Sequence, residues 1–309
     1  MVLLLFAIPK VFQGHTAVIQ RNAIESWTRL GPETRVMLLG DEEGTSEVAR
    51  ELHVDHLPDV ARNEFGTPLV SDLFEKAQAR TGPDDALCYI NSDIILLDDF
   101  LPAIRRVRER TRRFLTVGEC WNVDLPTPIP FADAAWQAQI ARLVSRSGIR
   151  RGTWYIDYFV FNHGLYRDVP PFAVGRAGFD NWLVWKARAL EATVVDATRL
   201  VTAVHQNHDY AHVGSRDWSY RGPEAVRNIQ LAGGKGRLFR IDDASHTLTT
   251  RGLKRRLGAS LRLGYRLDVG RAGLRDRLGA IFWLVAEATR PLRHRLGIRS
   301  ATFRRRRPS

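Results

Sequence analysis

Short apolar runs alternate with amphipathic stretches from the amino terminus to about residue 210, the pattern of an α/β sheet covered by helices. Val2 to Ala7 is a strand-length apolar run stopped by Pro9-Lys10, and Val18 to Leu30 carries apolar residues at helical spacing. Arg35 to Leu39 predicts a second strand ending in the turn Gly40 to Gly44. Ser46 to Leu52 reads as a short helix, Val54 to Leu57 as a short strand, and Leu69 to Arg80 as a helix after the loop Pro58 to Pro68. The turn Thr81 to Asp85 precedes a buried strand, Ala86 to Ile90, which opens onto Asn91-Ser92-Asp93.

Beyond it the pattern predicts a basic helix from Pro102 to Arg113 and a strand from Phe114 to Gly118. The rhythm breaks at Leu125 to Pro130, which is extended, and resumes with a helix from Phe131 to Ser145 and a strand from Trp154 to Phe161. A helix from Asp180 to Leu190 and two short strands, Thr193 to Asp196 and Leu200 to Val204, follow. No internal repeat is visible. The expected organisation is a domain over 1–232, a linker over 233–250 and a helical basic extension over 251–309 with a disordered end.

Composition narrows the function classes. The 309 residues are 44% hydrophobic, a globular composition long enough to bury a core without disulfides. The two cysteines, Cys88 and Cys120, lie in apolar segments, as buried reduced thiols do, which suits a cytoplasmic protein and excludes a cysteine-built zinc site. The first residues lack a basic flank, so a first strand is expected rather than a signal peptide. No window approaches the roughly 18 apolar residues of a membrane-spanning helix. The formal charge is +12, but residues 251–309 hold 17 Lys+Arg against 3 Asp+Glu, leaving 1–250 with a net of −2. The basic character therefore belongs to the tail.

Three constellations could carry chemistry. Asn91-Ser92-Asp93 follows a buried strand, where open α/β sheets bind ligands; a carboxylate there can hold a hard divalent cation or simply cap a helix. His205-Gln206-Asn207-His208-Asp209-Tyr210, with His212 beyond, clusters imidazoles at the end of an apolar run, as surface histidines or as ligands of a manganese- or magnesium-type site. Gly175 to Trp182 places Asp180 at a loop-to-helix junction, as an N-cap or as a working acid.

In this order the constellations resemble the GT-A nucleotide-diphospho-sugar glycosyltransferases. More narrowly, Gln20 to Trp27, Asn63 to Leu69, Tyr89 to Ile94, Phe179 to Trp182 and His205 to Tyr210 are similar to an uncharacterised glycosyltransferase-like family of that type. The resemblance covers residues 4–215 and stops short of the tail. It implies a Rossmann-like GT-A mixed sheet with flanking helices and a metal-dependent transfer of a sugar from a nucleotide-diphospho-sugar donor to a glycan or lipid-linked acceptor. Carried over by position, Asp93 and His205 would hold Mn2+ or Mg2+, and Asp180 would act on the acceptor. Gln20, Asn22, Asn63, Thr67, Asn91, Ser92 and Asn181 would contact the donor. Asn91 stands where that superfamily has an aspartate, and Asn181 where a second acid is usual.

Trp154, Tyr155, Tyr158, Trp182 and Trp185 could form a platform for a sugar ring or pack in the core. Gly233-Gly234-Lys235-Gly236-Arg237 lacks the full phosphate-loop pattern and reads as a flexible linker. In the tail, Leu253, Leu257 and Leu261 and then Leu274 to Val285 recur at helical spacing among arginines, which suits peripheral attachment to an anionic membrane surface at its inner face or packing on the core. Two other functions compete: nucleic-acid binding through the arginines, against which the near-neutral body and sparse aromatics argue, and a GT-A-like scaffold without activity, raised by Asn91.

Overall fold

A computed structural model describes residues 2–208 and 216–256. All of them belong to one unit of the chain, Met1–Leu263; the other, Gly264–Ser309, lies outside the described residues.

The first strand, β1 (Leu3–Ala7), is fully buried along its length, as an unbroken apolar run requires of a central parallel strand. It lies between β2 (Thr34–Leu39) and β4 (Ala86–Ile90), parallel to both, and β3 (Asp55–Leu57) extends the sheet beyond β2. β9 (Tyr158–Asn162) runs antiparallel between β4 and β6 (Phe114–Val117), and β10 (Thr193–Asp196) continues parallel to β6. Among the described residues this mixed sheet has nine strands, ending with β12 (His246–Thr249) and β13 (Gly252–Arg255). A smaller sheet of four orders β5 (Ile94–Leu96), β11 (Ala203–Gln206), β7 (Trp121–Val123) and β8 (Ile149–Arg150).

Two apolar layers cover the large sheet. On one face α1 (Gly14–Thr28) and α4 (Phe100–Arg108) bury Ile24, Trp27, Phe100 and Ile104 against Leu3, Leu5 and Cys88. Trp27 is enclosed completely and donates its indole N–H to the Ile94 carbonyl at 2.8 Å, which ties α1 to the strand after Asp93. Each such large side chain contributes about 1.5–3 kcal/mol by leaving water. On the other face α3 (Val70–Gln78) and α6 (Phe179–Ala189) close over Phe6, Tyr89 and Phe161, with Phe74 of α3 stacked on Phe161. The remaining helices are α2 (Thr45–Glu51), α5 (Trp136–Ser147), α7 (Arg216–Arg221) and α8 (Pro223–Leu231). Cys88 and Cys120 are buried and unbridged.

Two expectations are corrected here. Residues 233–250 are not a plain linker: Phe239, Ile241 and Leu248 are buried, and β12 pairs with β10, because these apolar positions find a sheet edge to cover. Leu253 does not begin a tail helix; it lies in β13, opposite Leu248 of β12, since pairing there packs its side chain on the apolar cluster that holds Leu248. The remaining tail positions expected to be helical, 257–309, and Asp209, Tyr210 and His212 lie outside the described residues. No helix among the described residues is long and apolar enough to cross a membrane.

A candidate metal centre at the carboxyl ends of the strands

The site is assembled by register. Asn91-Ser92-Asp93 leaves the carboxyl end of β4, and β5 begins at Ile94 directly behind it. β11 pairs antiparallel with β5 so that His205 stands opposite Ile94, next to Asp93. Gln206 clamps this junction: its side-chain amide donates to the carbonyls of Ile19 at 2.8 Å and Asp93 at 3.1 Å. His205 Nε2 then lies 3.6 Å from Asp93 Oδ2, and His208 Nε2 reaches the same oxygen at 3.0 Å. The carboxylate and both imidazoles place one ligand atom each within 4.8 Å of one another.

The donor set fits a divalent cation. Asp93 Oδ1 and His205 Nδ1 are buried without a hydrogen-bond partner, a costly arrangement for groups that could otherwise face water or an ion. Burial pushes the Asp93 carboxyl up, but the charges of His205, His208 and Lys10 and the His208 hydrogen bond outweigh it and hold the group well below the usual carboxylate range. Burial, against the Asp93 charge, holds His205 below its ordinary value, the direction that favours the neutral imidazole that ligates metals. A recess of about 10 Å3 beside Asp93 is lined by Lys10, Thr16, Gln20, Ser92 and His208.

The neighbouring acids come from the residue before β9 and from the first turn of α6. Because Ile90 pairs with Tyr158, Asn91 faces Asp157: its backbone N–H donates to the Asp157 carbonyl at 2.9 Å, and its side-chain amide donates to Asp157 Oδ1 at 3.0 Å. Arg151 Nε forms an ion pair with the other oxygen, Asp157 Oδ2, at 3.1 Å. A second aspartate at position 91 would oppose that carboxylate, which gives the asparagine a local reason. Asp180 lies in the first turn of α6, where its carboxylate accepts the Gly178 N–H at 3.3 Å. Burial pushes its carboxyl up to about 6, with Asp157 adding in the same direction. The glycine at 118 closes this end of β6: any Cβ there would collide with the Tyr158 hydroxyl.

The other expected donor contacts are held differently. Asn22 is 2% exposed and wholly engaged: it donates to Thr127 O at 3.1 Å and Gln206 Oε1 at 2.9 Å, and accepts from Ile129 N at 2.8 Å. It fastens the proline-rich segment to α1 and has no side-chain atom free for a nucleotide. Gln20 exchanges hydrogen bonds with the Lys10 backbone and accepts from the Ser92 hydroxyl at 2.9 Å, so Gln20 and Ser92 shape the recess beside Asp93. Asn181 is likewise internal, donating to the carbonyls of Phe239 at 2.7 Å and Trp154 at 3.3 Å. Asn63 and Thr67 form a separate cluster: the Asn63 carbonyl oxygen accepts from Phe65 N and Thr67 N, and its amide donates to Glu224 at 2.7 Å, which also pairs with Arg176 at 2.8 Å. Tyr158 and Trp182 are core residues, while Trp154 and Trp185 are partly buried beneath Arg240 and Arg237.

Sequence reasoning left His208 out of the ligand set, although its clustering with His205 was the available signal. Asp157 and Arg151 carried none, since only strand pairing brings them to Asn91.

No protein-family model matches the chain. No curated protein matches its sequence. Among solved structures it is similar to glucosyl-3-phosphoglycerate synthase from Mycobacterium tuberculosis in complex with Mg2+ and uridine diphosphate, at TM-score 0.44 and 14% identity, covering 75% of this chain and 80% of that one. It is also similar to S. aureus TarS 1-349 in complex with UDP-GlcNAc, at TM-score 0.46 and 12% identity over 70% and 61% of the two chains. Against S. aureus TarS the TM-score is 0.45 at 10% identity, and the chain spans 37% of that protein.

Proposed function

We propose that the chain is a metal-dependent glycosyltransferase of GT-A type that takes its sugar from a nucleotide-diphospho-sugar donor. The observation that carries this reading is the convergence of Asp93, His205 and His208 within 4.8 Å at the carboxyl ends of a largely parallel sheet. A divalent cation held by these three residues would supply Lewis-acid stabilisation to the diphosphate leaving group.

The protein's own groups account for the rest of the chemistry. Asp93 and Asp180 are pushed in opposite directions, one well below the carboxylate range and one up to about 6, which is how a single site divides two carboxylates between roles. Asp93 stays ionised and holds charge. Asp180, with a proton affinity nearer neutrality, accepts the proton of the acceptor hydroxyl as the new glycosidic bond forms. Asp157 and Arg151 position Asn91 at the rim without adding net charge. Lys10 brings a cation to the recess beside Asp93, on the side where a diphosphate would accumulate charge.

The direct test is a binding panel of nucleoside diphosphates with Mn2+, Mg2+ or chelator. At least one nucleotide should bind about tenfold or more tightly with metal, and Asp93→Ala should remove the difference. Metal-independent binding across the panel, or an Asp93→Ala variant with unchanged metal response, overturns the reading.

A further inference from the structure

The β12–β13 edge of the large sheet carries a second charged cleft, of about 360 Å3, that shares no residue with the Asp93 site. Arg255 ends β13 and Arg251 stands in the turn just before it, and both line the cleft from the hairpin. Arg110, Thr111, Thr193, His246 and the half-buried Leu253 complete the lining. Thr193 opens β10 and Thr111 precedes β6, so the cleft reaches the amino-terminal ends of strands parallel to β4. That is the opposite end of the strands from Asp93, which follows the carboxyl end of β4.

Among the described residues no carboxylate pairs with Arg110, Arg251 or Arg255, whereas their neighbour Arg256 is bound to Asp196 at 3.2 Å. The Arg110 guanidinium rests over Gly252, 3.7 Å from where a Cβ would stand, so glycine there brings the hairpin close beneath it. The Thr111 hydroxyl donates to Thr193 Oγ1 at 3.2 Å, setting two hydroxyls beside the guanidinium groups. Partial burial, then Arg255 and Arg188, hold His246 below its ordinary value, as a positive potential would. Arg110 comes from the body of net −2, residues 1–250, whereas Arg251 and Arg255 open the basic segment that follows it.

We propose that this cleft binds a phosphate-bearing ligand. One guanidinium fork satisfies a planar carboxylate, but three forks with the Thr193 hydroxyl offer donors for all the oxygens of a tetrahedral phosphate. The phosphate can belong to a soluble molecule or to a lipid headgroup.

The experiment uses the full chain, with inorganic phosphate followed by calorimetry and phosphatidylcholine vesicles with or without phosphatidic acid followed by sedimentation. The variant Arg110→Ala/Arg251→Ala/Arg255→Ala is compared with Arg305→Ala/Arg306→Ala/Arg307→Ala, which removes the same charge elsewhere. The cleft variant should weaken phosphate binding by about tenfold or more, and the control should not. A parallel loss on phosphatidic-acid vesicles assigns the ligand to a headgroup; a loss confined to free phosphate assigns it to a soluble molecule. Equal losses in the two variants, or no binding of either probe by the unaltered chain, overturn the proposal. The three arginines are exposed, so the variant should melt like the parent, and its metal-dependent nucleotide binding should persist, which separates this outcome from any failure at Asp93.

Discussion

Replacing Asp180 by Asn distinguishes a carboxylate retained for chemistry from one retained for stability. Burial pushes the folded carboxyl from its ordinary 3.8 up to about 6, against backbone hydrogen bonds from Asn181 and Gly178. The folded value is the higher one, so folding favours the protonated acid. Its contribution is fully present below about pH 3.8 and is lost as pH rises through about 6. At about 1.36 kcal/mol per tenfold change in acid constant, the ionised group costs the fold up to about 3 kcal/mol above neutrality. Asparagine has nearly the same shape, carries no charge at any pH and can still accept the Gly178 N–H that Asp180 accepts at 3.3 Å. Asp180→Asn should therefore be the more stable protein by up to about 3 kcal/mol at about pH 8, with the gap closing toward about pH 4. Urea unfolding at the two pH values, in chelator so that no bound ion contributes, measures it. Sugar transfer by the same variant should fall by about 10²–10⁴-fold if the carboxylate takes the acceptor proton. A variant that is less stable at the higher pH, or a gap that does not change with pH, refutes the reasoning.

Two further substitutions test how the site is held. Asn91→Asp sets a carboxylate against Asp157, where the amide now donates at 3.0 Å, and should cost about 1–3 kcal/mol near neutral pH. Adding Asp157→Asn should recover most of it in a double-mutant cycle of denaturation midpoints; additive losses would show that the two side chains are not coupled. Asn22→Ala leaves the Ile129 N–H and Gln206 Oε1 without their partner and should destabilise by about 2–4 kcal/mol in the same assay. An unchanged midpoint would show that the proline-rich segment is not fastened through this residue.

Local pattern was enough for the elements that bury a repeating face. The expected strands Ala86 to Ile90 and Thr193 to Asp196 match β4 and β10, and the helices matching α1, α3 and α6 differ only at their ends, because an apolar run or a 3.6-residue spacing records directly which side meets the core. The basic helix expected to Arg113 ends at Arg108, and the strand expected from Trp154 begins at Tyr158; in both the pattern overran a boundary set by packing. The short strands β5, β7 and β8 left no such record. Each exists through its partners in the small sheet.

The site divides along the same line. Asp93, His205 and Asp180 were legible as chemistry-bearing types at the ends of apolar runs, before anything was known of their spacing in three dimensions. What only the tertiary structure decided is which side chains meet. The β5–β11 pairing carries His205 across 112 residues to Asp93, and the β4–β9 register sets Asp157 against Asn91 across 66. Gln20, Asn22 and Asn181 look like ligand contacts in a linear chain, because a sequence shows that an amide is present but not whether its hydrogen bonds are already spent. In the fold they are spent on Lys10 and Ser92, on Thr127, Ile129 and Gln206, and on Phe239 and Trp154, holding in place the segments that frame the carboxylates.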